Sequence, residues 1–185
     1  MKDQLKKFAE QDDIYIVHSD ILKKLNPVFC KGFFEHYQRD DVERTHLFNG
    51  RLENTYLNET HIPELAQLKK EACKFANLIL KTKDIEMGYW FNHMPPGAVT
   101  TSHRHDDDDE LLSAAYYISV PKNSGDFIIK TSNIPDQGET LRITPEEGSF
   151  LFFKPDMMHE VTENLSDQHR FSIGINFGQR EYVDY

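Results

Sequence analysis

The chain has only two cysteines in 185 residues, and Cys30 and Cys73 lack the spacing of a CxxC pair. A disulfide scaffold is thereby excluded, and both read as reduced thiols in the core of an intracellular protein. Long hydrophobic runs are missing as well. The longest weakly polar stretch, Leu111–Val120, is too short to span a bilayer, and the opening MKDQLKKFAEQDD lacks the apolar segment of a signal peptide. Cations are scarce beside acids, 21 against 31, and the net charge of −10 argues against nucleic acid or an anionic membrane as the main partner. Internal repeats, low-complexity linkers and a second domain are also wanting. The expectation is a single cytoplasmic domain over residues 1–185, with 1–82 as a helical support region and 83–180 as a β-rich core. At this length a core can form without disulfides or a structural metal.

What is present fits that division. A hydrophobic share of 38% with 13 phenylalanines and 8 tyrosines leans towards β structure. Met1–Glu10 reads as a short docking helix or a frayed end, and Asp13–Val17 as a strand. Ser19 or Asp20 then caps a helix carrying Ile21, Leu22 and Leu25. It breaks at Pro27 and resumes through Val28, Phe29, Phe33 and Phe34 to Tyr37, so two short helices are expected. Arg39–Thr60, with its Asn49–Gly50 turn signal, is read as loop with one short strand. From Ile62 to Lys81, Leu65, Leu68, Ala72, Phe75 and Ile79 recur at steps of three and four, the pattern of an amphipathic helix. Every later segment reads as strand: Glu86–Met94, Leu111–Val120, Gly125–Thr131, Glu139–Thr144, Gly148–Lys154, Met158–Thr162 and Arg170–Phe177. Short strands separated by turn signals indicate a sandwich or barrel.

Between two of these strands lies Thr100–Glu110, TTSHRHDDDDE, with two histidines and a run of acids. Residues two apart on an extended chain point the same way, so either His103 with His105 or His105 with Asp107 can converge on one ion. A third donor, His159, follows the aromatic run GSFLFFKPDMM. Two nitrogens and one carboxylate on one face of a metal are the donor set of non-haem Fe(II) oxygenases. Three histidines without a carboxylate would instead suit zinc or a cupin-like metalloenzyme. A solvated acidic loop on a binding module is the remaining reading, although histidines are awkward members of a calcium site. On the last strand Arg170 shares a face with Ser172, Gly174 and Asn176, while Phe171, Ile173, Ile175 and Phe177 take the other. A cation among small residues leaves space for a carboxylate, which a guanidinium holds through two hydrogen bonds. Tyr117 shares its face with Ser113, Ala115 and Ser119 in the same way.

Taken in order, H-x-D, YY-I, SG-D-F-I-I, G-S-F-L-F-F…H-E-V and R-F-S-I, over roughly residues 85–178, resemble the Fe(II)- and 2-oxoglutarate-dependent dioxygenases, particularly the prolyl-hydroxylase-like branch. The resemblance implies a mainly β fold with N-terminal helices, a double-stranded β-helix or cupin-like jelly roll. It implies that His105, Asp107 and His159 bind Fe(II), and that Arg170 and Tyr117 hold the distal carboxylate of 2-oxoglutarate, with Ser172 beside Arg170 also on the cosubstrate. The implied reaction is hydroxylation by O2 of an unactivated C–H bond in a small-molecule or peptide substrate, with release of succinate and carbon dioxide. At the first ligand pair, His103 with His105 remains the alternative register. The loops Arg39–Thr60, Pro95–Ser102 and Asn133–Gly138 are the expected substrate walls, with His93, Asn92, Arg51 and Arg142 as further candidates.

Overall fold

The computed structural model describes residues 5–7, 13–105, 109–132 and 138–179. Short N-terminal elements lead into it: β1 (Leu5–Lys7), β2 (Tyr15–His18), α1 (Asp20–Lys23) and α2 (Asn26–His36). The backbone of β1 pairs antiparallel with β2, so the expected N-terminal helix is replaced there by a strand. Ser19 caps α1 by accepting a hydrogen bond from the Leu22 amide at 3.4 Å, and Pro27 sits in the first turn of α2, where its missing N–H costs nothing. Two helices form, as the proline demands.

Residues 39–60 depart from the expectation of a loop. They form a hairpin of β3 (Glu43–Phe48) and β4 (Arg51–Tyr56). Asn49 and Gly50 between them take φ of 48° and 76°, the pair of positive values that a two-residue I′ turn requires. The strands lack an alternating pattern because the hairpin lies at a sheet edge and much of β3 is exposed.

After α3 (Leu65–Leu80) come β5 (Ile85–Met94), β6 (Thr100–His103), β7 (Glu110–Ser119), β8 (Phe127–Lys130), β9 (Thr140–Ile143), β10 (Ser149–Phe153), β11 (His159–Val161) and β12 (Arg170–Gln179). Strand β6 was not legible, since TTSH offers no apolar residue; it is held as a strand by pairing with β11. All pairings are antiparallel. One sheet runs β1-β2-β10-β7-β12-β5-β4-β3, and the second runs β6-β11-β8-β9. Together they form the double-stranded β-helix, with β12 between β5 and β7 at the centre of the large sheet. Among the described residues no helix is long and apolar enough to cross a membrane.

Alternation along β12 divides the apolar interior in two. Phe171, Ile173, Ile175 and Phe177 join Phe29, Phe33, Leu65, Leu68 and Phe75 of the helices in one core on the outer side of the large sheet. Full burial of each such side chain contributes about 1.5–3 kcal/mol. Tyr117, Leu151 and Phe153 point the other way and meet Phe127, Ile129 and Ile143 of the small sheet in a second core. Asn26 fixes α2 against the sheet: its amide donates to Ile118 O at 2.7 Å, and its carbonyl accepts from the Tyr116 hydroxyl at 2.7 Å.

His93 belongs to the helical side. Its ring stacks on Phe171 at 4.6 Å, meets Phe33 edge-on at 5.4 Å, and shares a 2.5 Å hydrogen bond with His169. Burial, then the neighbouring His169 and Arg51, hold its pKa down to about 4. The unfolded chain therefore takes up a proton that the folded chain refuses, and stability falls as pH drops from about 6.5 towards about 4. Urea denaturation across that window should show a shallower decline for His93→Gln than for the wild-type protein, with no difference in slope above pH 7. Parallel profiles would refute the assignment.

Candidate active site

Four residues of β12, Arg170, Ser172, Gly174 and Asn176, face the space between the sheets, and each lies in a rung across the large sheet. Met94 stands opposite Arg170; Asn92 and Tyr117 flank Ser172; Trp90 and Ala115 flank Gly174; Gly88 and Ser113 flank Asn176. Ala115, Ser172 and Gly174 are small, and a cavity of about 70 Å³ lies on this face of the sheet.

Arg170 closes one end. It is 1% exposed, which for a guanidinium demands compensation. Two backbone carbonyls provide part of it, because Nη1 donates to Ser124 O at 3.2 Å and Gly125 O at 2.6 Å. The loop can come this close because residue 125 is glycine: its φ is +96°, and a Cβ there would lie 2.3 Å from Thr162 O. Arg170 Nε has no partner, and neither has the hydroxyl of Tyr117, although both atoms are buried. The guanidinium carbon stands 5.5 Å from the Tyr117 ring centre. Burial pushes the Tyr117 hydroxyl up to about 12 against the opposing pull of Arg170, so it stays a neutral donor. Burial also lowers the pKa of Arg170, with Tyr117 and Asp126 acting in the other direction. The local acid, Asp126, is hydrogen-bonded by Arg142 Nη1 at 2.7 Å and Thr144 Oγ1 at 2.9 Å. Arg142 is thus committed to that pair.

Three histidines form the other end. Donor atoms of His103, His105 and His159 lie within 4.8 Å of one another. Pairing of β6 with β11 sets His103 directly opposite His159. His103 Nδ1 lies 2.7 Å from Thr101 O, and His159 Nδ1 lies 2.9 Å from Met157 O. A carbonyl only accepts, so both Nδ1 atoms carry the proton and both Nε2 lone pairs are free for a metal. Burial, then the neighbouring His103, drive the pKa of His159 down to about 3, so the imidazole is neutral near pH 7. The His105 amide donates to Pro155 O at 2.9 Å, while its Nδ1 faces Asn176 Nδ2 at 3.2 Å and the Glu110 carboxylate at 3.8 Å. Asn176 also donates to Glu110. Asp107, together with Asp106 and Asp108, lies outside the described residues.

Beyond the histidines a second cavity, about 490 Å³, opens between the β3–β4 hairpin and strands β5, β6 and β7, with His46, Asn54, Tyr56, Arg104 and Glu110 on its walls. The expected substrate walls at 39–60 and 95–102 border it in part, through the hairpin and Thr101; residues 133–137 lie outside the described ones. Asn92 lines both cavities. Arg51 acts as a staple, donating to His93 O at 3.0 Å, Val99 O at 2.8 Å and Glu53 at 2.5 Å, which ties the hairpin to the segment leading into β6. His93 faces the helices. The sequence placed Asn176 on the face of Arg170 without a role and gave none to Glu110 or Trp90, since what each touches is decided by the folded chain.

The donor set and the buried orphan cation at opposite ends of one cavity suit a metal and a dianionic cosubstrate. Comparison with known proteins agrees. A family described as "Putative 2OG-Fe(II) oxygenase" matches residues 88–176, and no curated protein matches the chain. A prolyl-4-hydroxylase of Pseudomonas putida superposes with a TM-score of 0.70 at 17% identity, covering 92% of this chain and 94% of that one. A prolyl hydroxylase from Trichoplax adhaerens, in complex with a hypoxia inducible factor peptide fragment, gives 0.64 at 13%, covering 91% and 84%. The epimerase SnoN, in complex with Fe3+, alpha ketoglutarate and nogalamycin RO, gives 0.66 at 13%, covering 91% and 80%. The matched segment, just under half of the chain, holds the three histidines, Tyr117 and Arg170, and over those residues the chain is similar to the 2OG-Fe(II) oxygenases.

Proposed function

We propose that His103, His105 and His159 hold the iron, that Arg170 and Tyr117 bind the distal carboxylate of 2-oxoglutarate with Ser172 beside it, and that a small-molecule or peptidyl substrate is hydroxylated from the outer cavity. The observation that carries this reading is the pairing of two orphans: the buried Nε of Arg170 and the buried hydroxyl of Tyr117, both at the base of a cavity that ends in three imidazoles. An incoming carboxylate satisfies both donors at once and supplies the counter-charge that the Ser124 and Gly125 carbonyls cannot. Histidines 103 and 159, with their Nδ1 protons held by Thr101 O and Met157 O, present lone pairs without any proton rearrangement. When bound, the iron would supply activation of O2, which is the oxidant: one oxygen atom would go to the cosubstrate as it is oxidised to succinate and carbon dioxide, and the other to the substrate C–H bond. The chain's own contribution is orientation and exclusion of water by Phe127, Phe153 and Val161 around the inner cavity. The peptide complex of the Trichoplax relative and the nogalamycin complex of SnoN support both substrate classes as open to this fold.

Removing Arg170 takes away a charge-assisted hydrogen-bonding partner, worth about 1.5–3 kcal/mol or about ten- to hundredfold in affinity. Anaerobic titration with Fe(II) and then 2-oxoglutarate should develop the weak visible charge-transfer band of the chelate, at a cosubstrate concentration raised by that factor in Arg170→Ala. An unchanged midpoint would rule out the assignment. The same titration separates the two ligand registers. Calorimetry should find metal binding lost in His103→Ala and retained in Asp107→Ala; the opposite result would install Asp107 in place of His103.

A further inference from the structure

Gly174 sits in the middle of β12, the central strand of the large sheet, where glycine has no side chain to pack and weakens the strand. Its backbone does not call for glycine, since its φ lies outside the left-handed region. The indole of Trp90 does. A Cβ at residue 174 would fall 2.5 Å from both Cε2 and Cζ2 of Trp90 and 2.7 Å from Nε1. Trp90 is the cross-strand partner of Gly174, and Ala115 flanks the same rung on the far side. The ring therefore lies down over the β12 backbone, its centre 5.9 Å from that of His105.

This is where the two cavities meet. Trp90, Asn92, Thr100, His103, His105 and Asn176 line both the inner space that ends at Arg170 and the outer space beneath the hairpin. Of these six, three have short polar side chains and two are proposed metal ligands; the indole is the one large apolar surface. We infer that Trp90, laid flat by Gly174, is the positioning residue that partitions the cosubstrate cavity from the substrate cavity and fixes the side from which substrate reaches the metal. The inference rests on the cosubstrate reading above. With the indole in place, a ligand in the inner cavity has a rigid apolar wall on its substrate side, and the metal is approached from the hairpin side past Asn54 and Tyr56. Without it, the two spaces join and water enters behind the cosubstrate.

Trp90 is the only tryptophan in the chain, so its emission is a direct probe. Titration of the wild-type protein with Co(II) should quench it, and 2-oxoglutarate added to the Co(II) form should shift it further, because the indole borders both ligands. In Trp90→Ala, calorimetry should find Co(II) affinity within about threefold of wild type and 2-oxoglutarate affinity about tenfold weaker, the loss expected when a packed wall is deleted. Succinate formed by the Fe(II) enzyme without added substrate should rise in the same variant. Gly174→Ala should displace the ring, reducing the Co(II) quench while circular dichroism shows an intact fold; if that variant does not fold, Trp90→Ala and Trp90→Phe carry the test, Phe keeping part of the wall and falling between. Wild-type emission indifferent to Co(II), or Trp90→Ala with unchanged 2-oxoglutarate affinity and unchanged idle turnover, would overturn the partition. Failure of 2-oxoglutarate to bind the wild-type Co(II) and Fe(II) forms would overturn the cosubstrate reading itself, and the partition with it.

Discussion

A guanidinium buried in a barrel is the constraint around which the site is arranged. Arg170 is almost wholly removed from water, and a charge so placed is tolerable only where hydrogen-bond acceptors are supplied. Among the described residues, two carbonyls of the loop after β7 accept hydrogen bonds from Arg170 and no carboxylate does. That partial compensation dictates local structure. The loop must approach β12 and the end of β11 closely, which is possible because Gly125 has no Cβ to meet Thr162 O. The nearby acid is drawn off by Arg142 and Thr144. The Tyr117 hydroxyl is left as a second donor without a partner. In the proposed reading an anion completes this arrangement.

The rest of the molecule makes that condition affordable. Strand β12 carries the cation on one face and four large apolar residues on the other, and those four are seated against α2 and α3 in the larger of the two cores. The helices that precede the barrel thus hold the back of the strand whose front carries the proposed site. Asn26, buried and hydrogen-bonded to both Ile118 and Tyr116, sets α2 against β7 at one place, so the support is specific as well as hydrophobic.

At the histidine end the proposed metal site relies on neutral donors. Backbone carbonyls orient two of the histidines, a device that fixes the tautomer without adding charge. Beside the third, Glu110 and Asn176 bring a carboxylate to His105 from the outer side. Arg51 contributes at one remove by tying the hairpin to the segment that enters β6, the strand on which His103 lies.

Much of this was legible in the sequence. The steps of three and four in residues 65–79 determined α3, the proline at position 27 determined the break between α1 and α2, and strict alternation assigned residues 170–177 of β12 to their faces. Arg170 and Tyr117 followed from the same period-two reading, because alternation is a local property of an extended chain, and His159 from its place after the aromatic run 149–153. The hairpin β3–β4 and strand β6 were not legible: both lie at sheet edges, where exposure removes the apolar alternation that marks a strand. Tertiary structure alone decided that His103 stands across from His159, that Glu110 and Asn176 reach His105, and that Trp90 lies over Gly174. Apart from Glu110, which is five residues from His105, each relation joins residues distant in the chain, set by how the strands pair, and no local pattern of residue types encodes that register.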